Sequence, residues 1–362
     1  MTADRYTITV PATSANIGPG FDVLGLSLSL FLKVDLEVDR AAGVPATAEQ
    51  DVSIEYSGDS ANGVSLEPRK NLISNTALYV LACHGHAWFP FPTRIKVHND
   101  IPLGRGLGSS GAAVVAGVHL ANVAGNLGLS VDRMLDYCLM IERHPDNVTA
   151  ALVGGFVASY LSESQPTALS SAAQEQPAVP DSPTADEETM RKHRMPPPPP
   201  PEAISQHVQL RWAPEIKAVA VIPLFELATS KARSVLPDKY DRGDVVYNLQ
   251  RLAVLTTALG QSPPNARMIA RAMADRVHQP YRKHLVPGLP QILEQITPET
   301  VPGVVGACLS GAGPTVLILA TDNFDAVAQR AVEIIRRESG GKVDAIAKVL
   351  DVTQYGTVCV KH

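Results

Sequence analysis

The chain has 362 residues, which at roughly 150 residues per domain suggests about two domains, and 45% hydrophobic against 19% charged residues supply material for buried cores. A formal net charge of -5 excludes the broad basic surface that nucleic acids and anionic membranes require. The four cysteines (Cys83, Cys138, Cys308, Cys359) are scattered and form no CxxC, which fits reduced thiols and excludes a zinc site of the usual spacing.

Tyr6 to Val10 alternates as a strand; a Gly/Pro/Asn loop follows, then a second strand over Phe31 to Val38. MTADRYTITV carries no basic and apolar leader, so the expected location is the cytoplasm. Asn71 to His84 has apolar residues at helical spacing, and Thr93 to Val97 reads as a strand. A glycine-rich turn leads into a small-residue helix from about Ser109 to Gly125. The most apolar window, Gly111 to Leu129, is broken by His119, Asn122 and Asn126, so it predicts a buried helix and no membrane span. Ser130 is the N-cap of a further helix, which ends near Arg143 because Pro145 disfavours helical backbone at His144. Gly155 to Leu161 resumes as a strand.

Ten of the 29 prolines fall at Pro166, Pro177, Pro180, Pro183 and Pro196 to Pro201, in a stretch nearly devoid of large apolar side chains. Such a segment cannot offset its chain entropy by burial, so Ser162 to about Gln206 is expected to be disordered, with a short polyproline II piece. It separates an N-terminal block, 1–161, from a C-terminal block, 207–362. That second block begins with strands His207 to Trp212 and Ile216 to Ile222. Three helical stretches follow, then a strand, Gly-rich turn and strand over Gly303 to Ala320, a helix over Phe324 to Arg337, and a last strand. Strands and helices mixed in both halves predict an α+β architecture.

The sharpest local feature is Ile101-Pro-Leu-Gly-Arg-Gly-Leu-Gly-Ser-Ser-Gly-Ala-Ala113, between a strand and a long helix. Glycines let the backbone approach a ligand, and a helix N-terminus behind them is an anion site. A Rossmann fingerprint would open the first βαβ unit with an acidic residue closing its second strand, and here the Ser130 helix takes that place. No Lys-Ser/Thr follows the glycines, so a Walker loop is excluded. A nucleotide-phosphate loop remains, with Ser109 and Ser110 offering hydroxyls to phosphate or Mg²⁺; the alternative is a tight turn that merely packs a helix on a sheet.

Three segments carry a resemblance. Pro102-x-x-x-Gly-Leu-Gly-Ser-Ser-x-Ala-Ala113 resembles the phosphate motif of the GHMP kinases. Val10-Pro-Ala-Thr-Ser-Ala-Asn-Ile-Gly-Pro-Gly-Phe-Asp22 is similar to the N-terminal motif of their homoserine kinase branch, and Ala307-Cys-Leu-Ser-Gly-Ala-Gly-Pro-Thr315 to the superfamily's C-terminal glycine motif. The resemblance covers the chain apart from the proline-rich insertion. It implies a two-domain α+β fold: a ribosomal-protein-like N-terminal domain with a left-handed βαβ unit, and a ferredoxin-like C-terminal domain, with ATP in the cleft between. It further implies ATP-dependent phosphorylation of the L-homoserine hydroxyl, on the route to threonine. The alternatives are another small-molecule kinase of the mevalonate, sugar or shikimate type, or a catalytically silent metabolite-binding member.

On this reading the nucleotide lies on Pro102, Leu103, Gly104, Arg105, Gly106, Leu107, Gly108, Ser109, Ser110, Gly111 and Ala112, with Asn71 nearby. Glu142 and Ser110 are the expected Mg²⁺ ligands, although Arg143 stands where many relatives have glycine. Asn16, Asp22, His144, Asn147, Arg233 and Arg282 match the homoserine pocket. Thr229, four residues before Arg233, shares its helix face. No residue announces itself as a catalytic base, Asp146 and Asp22 being the nearby carboxylates. Asn16 and Arg233 are expected to stabilise developing charge. The expected partner beyond homoserine is a second copy of the chain.

Overall fold

The computed structural model describes residues 3–40, 51–59, 61, 63–162 and 196–362. Its first layer is a seven-stranded sheet. β1 (Asp4–Ala15) pairs antiparallel along the whole of the long β2 (Leu24–Val38), with a register shift between Pro11 and Ala12. The far end of β2 pairs with β4 (Thr93–Asn99) and its beginning with β5 (Phe156–Leu161), so one strand serves two neighbours. In β4, Thr93, Ile95, Val97 and Asn99 are buried while Arg94, Lys96 and His98 are exposed, the period-two pattern of a half-buried strand.

β3 (Val52–Gly58) runs parallel to β4, and the chain crosses between them through α1 (Leu72–Cys83), giving a βαβ unit. β3 is not anticipated from the sequence, because only Val52 and Ile54 mark its buried face. Asn71 caps α1, its side-chain oxygen accepting from Ile73 and Ser74 N–H. The central helix α2 (Ser109–Ala124) is buried on nearly all sides. Its small residues let neighbours approach: a Cβ on Gly117 would overlap the Ile73 carbonyl of α1. α3 (Val131–Glu142) starts at the expected Ser130 cap and stops on Arg143, in the left-handed region at φ 64°. Pro145 then opens a helix the sequence did not reveal, α4 (Pro145–Val153), at the position where a missing N–H costs nothing.

The second layer is a four-stranded antiparallel sheet of β7 (Lys217–Pro223), β8 (Val304–Leu309), β9 (Val316–Ala320) and β10 (Ala345–Leu350), in the order β10-β7-β9-β8. This is the ferredoxin-like order, first strand beside the fourth. Between β7 and β8 lie α5 (Thr229–Ser234), α6 (Arg242–Ala258), α7 (Ala266–Ala272), α8 (Gln279–Arg282) and α9 (Leu289–Gln295); α10 (Phe324–Glu338) follows β9. α10 lays Val327, Ala331, Ile334 and Ile335 into a core of its own with β7 and β9. The larger core begins on β1 and β2 and continues into Ile216, Leu255, Ile269 and Leu317 of the second block.

Sheet membership does not follow the boundary read from the sequence. β6 (Ser205–Leu210) pairs with β5, and the last strand, β11 (Val358–Lys361), pairs with β1, so both complete the first sheet. The expectation of disorder over 162–206 also needs correction at its ends. Ser162 donates its N–H to Ile204 and its hydroxyl to Ala203. Arg133 donates to the carbonyls of Pro200 (2.6 Å) and Pro201 (2.9 Å). The buried Asp136 accepts from Ile204 N (2.9 Å) and Ala203 N (3.3 Å). A proline run bonds none of its own carbonyls, so a guanidinium beside it gains acceptors; composition alone does not reveal that neighbour. Residues 163–195 of the expected insertion lie outside those described.

Gly117→Ala should lower stability by about 1–3 kcal/mol through overpacking, despite alanine's better helix propensity. Gly243→Ala on α6, where a Cβ meets nothing within 4 Å, should instead raise it by about 0.5–1 kcal/mol. Urea unfolding of both variants checks the contrast, and a stabilised Gly117→Ala would refute the close α1–α2 approach. Asp136→Ala, which strands two N–H groups, should cost on the order of 2 kcal/mol in the same measurement.

Candidate active site

The loop between β4 and α2 turns on three glycines in the left-handed region, Gly104 (φ 62°), Gly106 (φ 78°) and Gly108 (φ 70°). Its carbonyls are tied from four directions. Leu227 N donates to Gly104 O (3.0 Å), Thr315 N to Arg105 O (3.2 Å) and Thr13 N to Leu107 O (3.1 Å). The buried Ser310 hydroxyl donates to Gly106 O (2.6 Å); having spent its one proton, it accepts from Ser14 Oγ (2.7 Å). In a trans peptide the N–H points opposite the carbonyl, so these bonds turn the loop's N–H edges the other way. α2 follows at once. Its N-cap is Gly108, with no side-chain cap, and the N–H groups of the first turn have no intrahelical partner. Loop and helix together offer free N–H groups and the positive end of a helix dipole, an arrangement suited to an anion.

At its mouth the Ser110 hydroxyl donates to a Glu142 carboxylate oxygen. Burial pushes the Glu142 carboxyl up, and the Ser110 hydrogen bond opposes that. Two hard oxygens beside a phosphate site suit Mg²⁺, which takes few protein ligands and completes its shell with phosphate and water. Among the described residues no group of three or more His, Cys, Asp or Glu could hold a metal ion, so a cation here would depend on the nucleotide's oxygens.

The facing wall comes from the 16–22 loop and the second block. Asn16 (φ 60°) is buried, its amide oxygen accepting from Asp22 N (2.8 Å) and its NH₂ donating to Gly311 O (3.0 Å). Asp22 pairs with Arg233 through both oxygens, at 2.8 and 3.4 Å. Arg282, 1% exposed, donates to Ala232 O (2.9 Å) and Gly311 O (3.3 Å) and lies 5.1 Å over the Phe21 ring. Burial and then the Arg233 charge lower its pKa to about 10. Asp146 is buried, its carboxylate accepting from Asn147 N (2.9 Å); burial, reinforced by Asp22, raises its pKa to about 7. Burial, helped by Arg233, lowers that of His144.

The structure thus gathers Asn16, Asp22, Arg233 and Arg282 around one loop, and Ser110 beside Glu142. Asn147 accepts from the Thr13 hydroxyl (2.8 Å) next to the phosphate loop, where a Cβ on Gly108 would overlap Thr13 Oγ1. Two expected residues are placed less closely. The amide of Asn71 is occupied in capping α1 and bonding Ser65 O. Thr229 heads α5 one turn before Arg233, exposed. Sequence reading missed His278, which is fully buried, donates from Nε2 to Gly18 O (2.9 Å) and stacks on Phe21 at 5.4 Å between ring centroids. Its orientation comes from Asp275, which accepts the N–H groups of Val277, His278 and Gln279. Only the Asp in a turn position hints at it. Thr13, Ser14 and Ser310 stood inside recognised motifs, but a small hydroxyl in a glycine-rich segment carries no mark of its partner.

Comparison with known proteins agrees with this geometry. Residues 71–155 match the GHMP kinases N terminal domain and residues 256–336 the GHMP kinases C terminal domain. The chain is 51% identical over 354 residues to a homoserine kinase of Saccharomyces cerevisiae, covering 97% of each. It is 52% identical to one of Schizosaccharomyces pombe, covering 92% of this chain and 93% of that one. A crystal structure of homoserine kinase from Cytophaga hutchinsonii superposes with a TM-score of 0.72 at 24% identity, over 99% of this chain and 98% of that one, which speaks to the fold. With its three glycine motifs joined in one site and its sequence shared along nearly the full length of such relatives, the chain belongs to the GHMP kinase family.

Proposed function

We propose that this chain transfers the γ-phosphoryl group of ATP to the hydroxyl of L-homoserine, giving O-phospho-L-homoserine for threonine biosynthesis. The observation that carries the proposal is the Asp22–Arg233 pair across from an uncapped phosphate loop. A zwitterionic amino acid needs one carboxylate and one guanidinium, and that pair supplies both. Arg282 braces the Arg233 helix through Ala232 O, so the guanidinium is held in place before the ligand arrives.

Phosphoryl transfer asks for in-line positioning and charge stabilisation more than covalent chemistry. The phosphates rest on the N–H groups of residues 104–111, the Ala112 N–H being already bonded to Gly108 O (2.9 Å). Ser110 and Glu142 would hold Mg²⁺, which would supply neutralisation of charge on the phosphate oxygens. The Arg233 fork anchors the amino acid and stabilises charge with Asn16, whose amide also fixes the Asp22 backbone. No helix among the described residues is long and apolar enough to cross a membrane, and the enzyme is proposed to act in the cytoplasm. It is further proposed to act as a homodimer, supported by exposed Val245, Val246, Leu249 and Val254 on α6; sedimentation as a monomer at micromolar concentration would refute this.

ADP release measured with homoserine, mevalonate, galactose and shikimate tests the substrate. Turnover is expected with homoserine, and its absence there would end the proposal. Glu142→Ala should keep the fold by circular dichroism and lose about 10²–10³ in kcat; a variant retaining most of its Mg²⁺-dependent rate would place the metal elsewhere. Arg233→Lys keeps the charge but not the fork. It should cost about 2–4 kcal/mol of transition-state stabilisation with homoserine, with the KM for ATP unchanged. A raised KM for ATP beside normal homoserine kinetics would move Arg233 to the nucleotide.

A further inference from the structure

Thr13, on β1, is 1% exposed, and its hydroxyl has Asn147 Oδ1 as its partner at 2.8 Å. A threonine hydroxyl carries one proton, and buried it must donate that proton or leave it unsatisfied. Were the Asn147 amide turned over, its NH₂ would face Thr13 and the hydroxyl proton would have no acceptor among the described residues. The donor requirement of Thr13 therefore fixes the amide with its oxygen inward and its NH₂ away from β1. That NH₂ bonds no described residue, and Asn147 is half-buried. Its surroundings are the start of α2: a Cβ on Gly108 would lie 3.1 Å from Asn147 Oδ1, and one on Gly111 would lie 3.4 Å from Asn147 Cβ. The Asn147 side chain thus packs against the start of α2, with its oxygen toward Thr13 and Gly108 and its NH₂ left as the free group.

We propose that Thr13 is a positioning residue for phosphoryl transfer: by occupying the Asn147 amide oxygen it leaves the amide NH₂ to donate to an oxygen of the phosphoryl group as it passes from ADP to the acceptor hydroxyl. The inference rests on reading this cleft as the phosphoryl-transfer site. A neutral donor held in advance at that point stabilises charge as it develops and requires no reorganisation during the reaction. Backbone duties remain separate, since the Thr13 N–H holds Leu107 O whatever the side chain. The loop can therefore keep its shape while the amide loses its orientation.

The test is a kinetic comparison of Thr13→Val, Thr13→Ala and Thr13→Ser, followed by Thr13→Val combined with Asn147→Ala. Thr13→Val should lower kcat by about 10- to 100-fold, with the KM values for ATP and homoserine each within about threefold, and Thr13→Ser should recover most of the rate. Thr13→Ala reports the same loss if valine disturbs the fold, with melting temperatures recorded for all variants. In the Asn147→Ala background Thr13→Val should cost nothing further, because there is no amide left to orient. Equal rates for the valine and serine variants, or a valine penalty undiminished without Asn147, would overturn the proposal. If Asn147→Ala alone leaves kcat intact, the proposal falls. Failure of the whole site reading would be distinguished by wild-type enzyme releasing no ADP with homoserine.

Discussion

The carbonyl edge of residues 104–107 is held by Leu227, Thr315, Ser310 and Thr13, and the site depends on that grip. A glycine-rich loop free in solution would sample many conformations, with its N–H groups bonded to water. Pinning its oxygens selects the one conformation whose N–H groups face the cleft. Three of the four donors belong to the second block and one to β1. The anion site consequently exists only when both sheets are docked, and a core running from Ile8 to Leu317 keeps them so. Separating the two sheets would remove three of the four donors from the loop.

A second constraint is electrostatic. Burial displaces the titrations of Glu142, Asp146, His144 and Arg282 toward neutrality, because a charge in this environment lacks water. Asp22 and Arg233 compensate each other, and the partner of the Glu142 carboxylate among the described residues is the Ser110 hydroxyl. Groups held in this way gain most from a ligand that brings the opposite charge. A metal ion at Glu142 and a zwitterion between Asp22 and the guanidinium groups would each supply it. The aromatic face of Phe21, under Arg233, Arg282 and His278, lets cationic and imidazole groups crowd together with little mutual solvation.

The insertion shows how composition can mislead at a boundary. A run of prolines and small polar residues predicts a segment without a core of its own, yet its return from Pro200 to Ile204 is ordered by Arg133 and Asp136 on α3. Those partners are local to α3 and their spacing is an ordinary i,i+3 ion pair, which reads from sequence as a solvated helix face. Strand β6 then joins the first sheet because β5 has a free edge, a fact about pairing that no periodicity encodes.

Wherever the determining physics is local, residue order alone was sufficient. The Ser130 cap, the stop before Pro145, the alternation of β4 and the three glycines ahead of α2 each follow from backbone sterics and from side-chain bonds within a few residues. The glycine motifs and their order also marked the family. Tertiary structure alone decided which loop oxygens are tied, that His278 and Arg282 close on the Gly18–Phe21 turn, that Thr13 sets the Asn147 amide, and that the last strand returns to β1. These contacts join residues up to hundreds of positions apart, and a hydrogen bond of that span leaves no periodic or compositional trace, since its geometry arises only when packed elements bring donor and acceptor within about 3 Å.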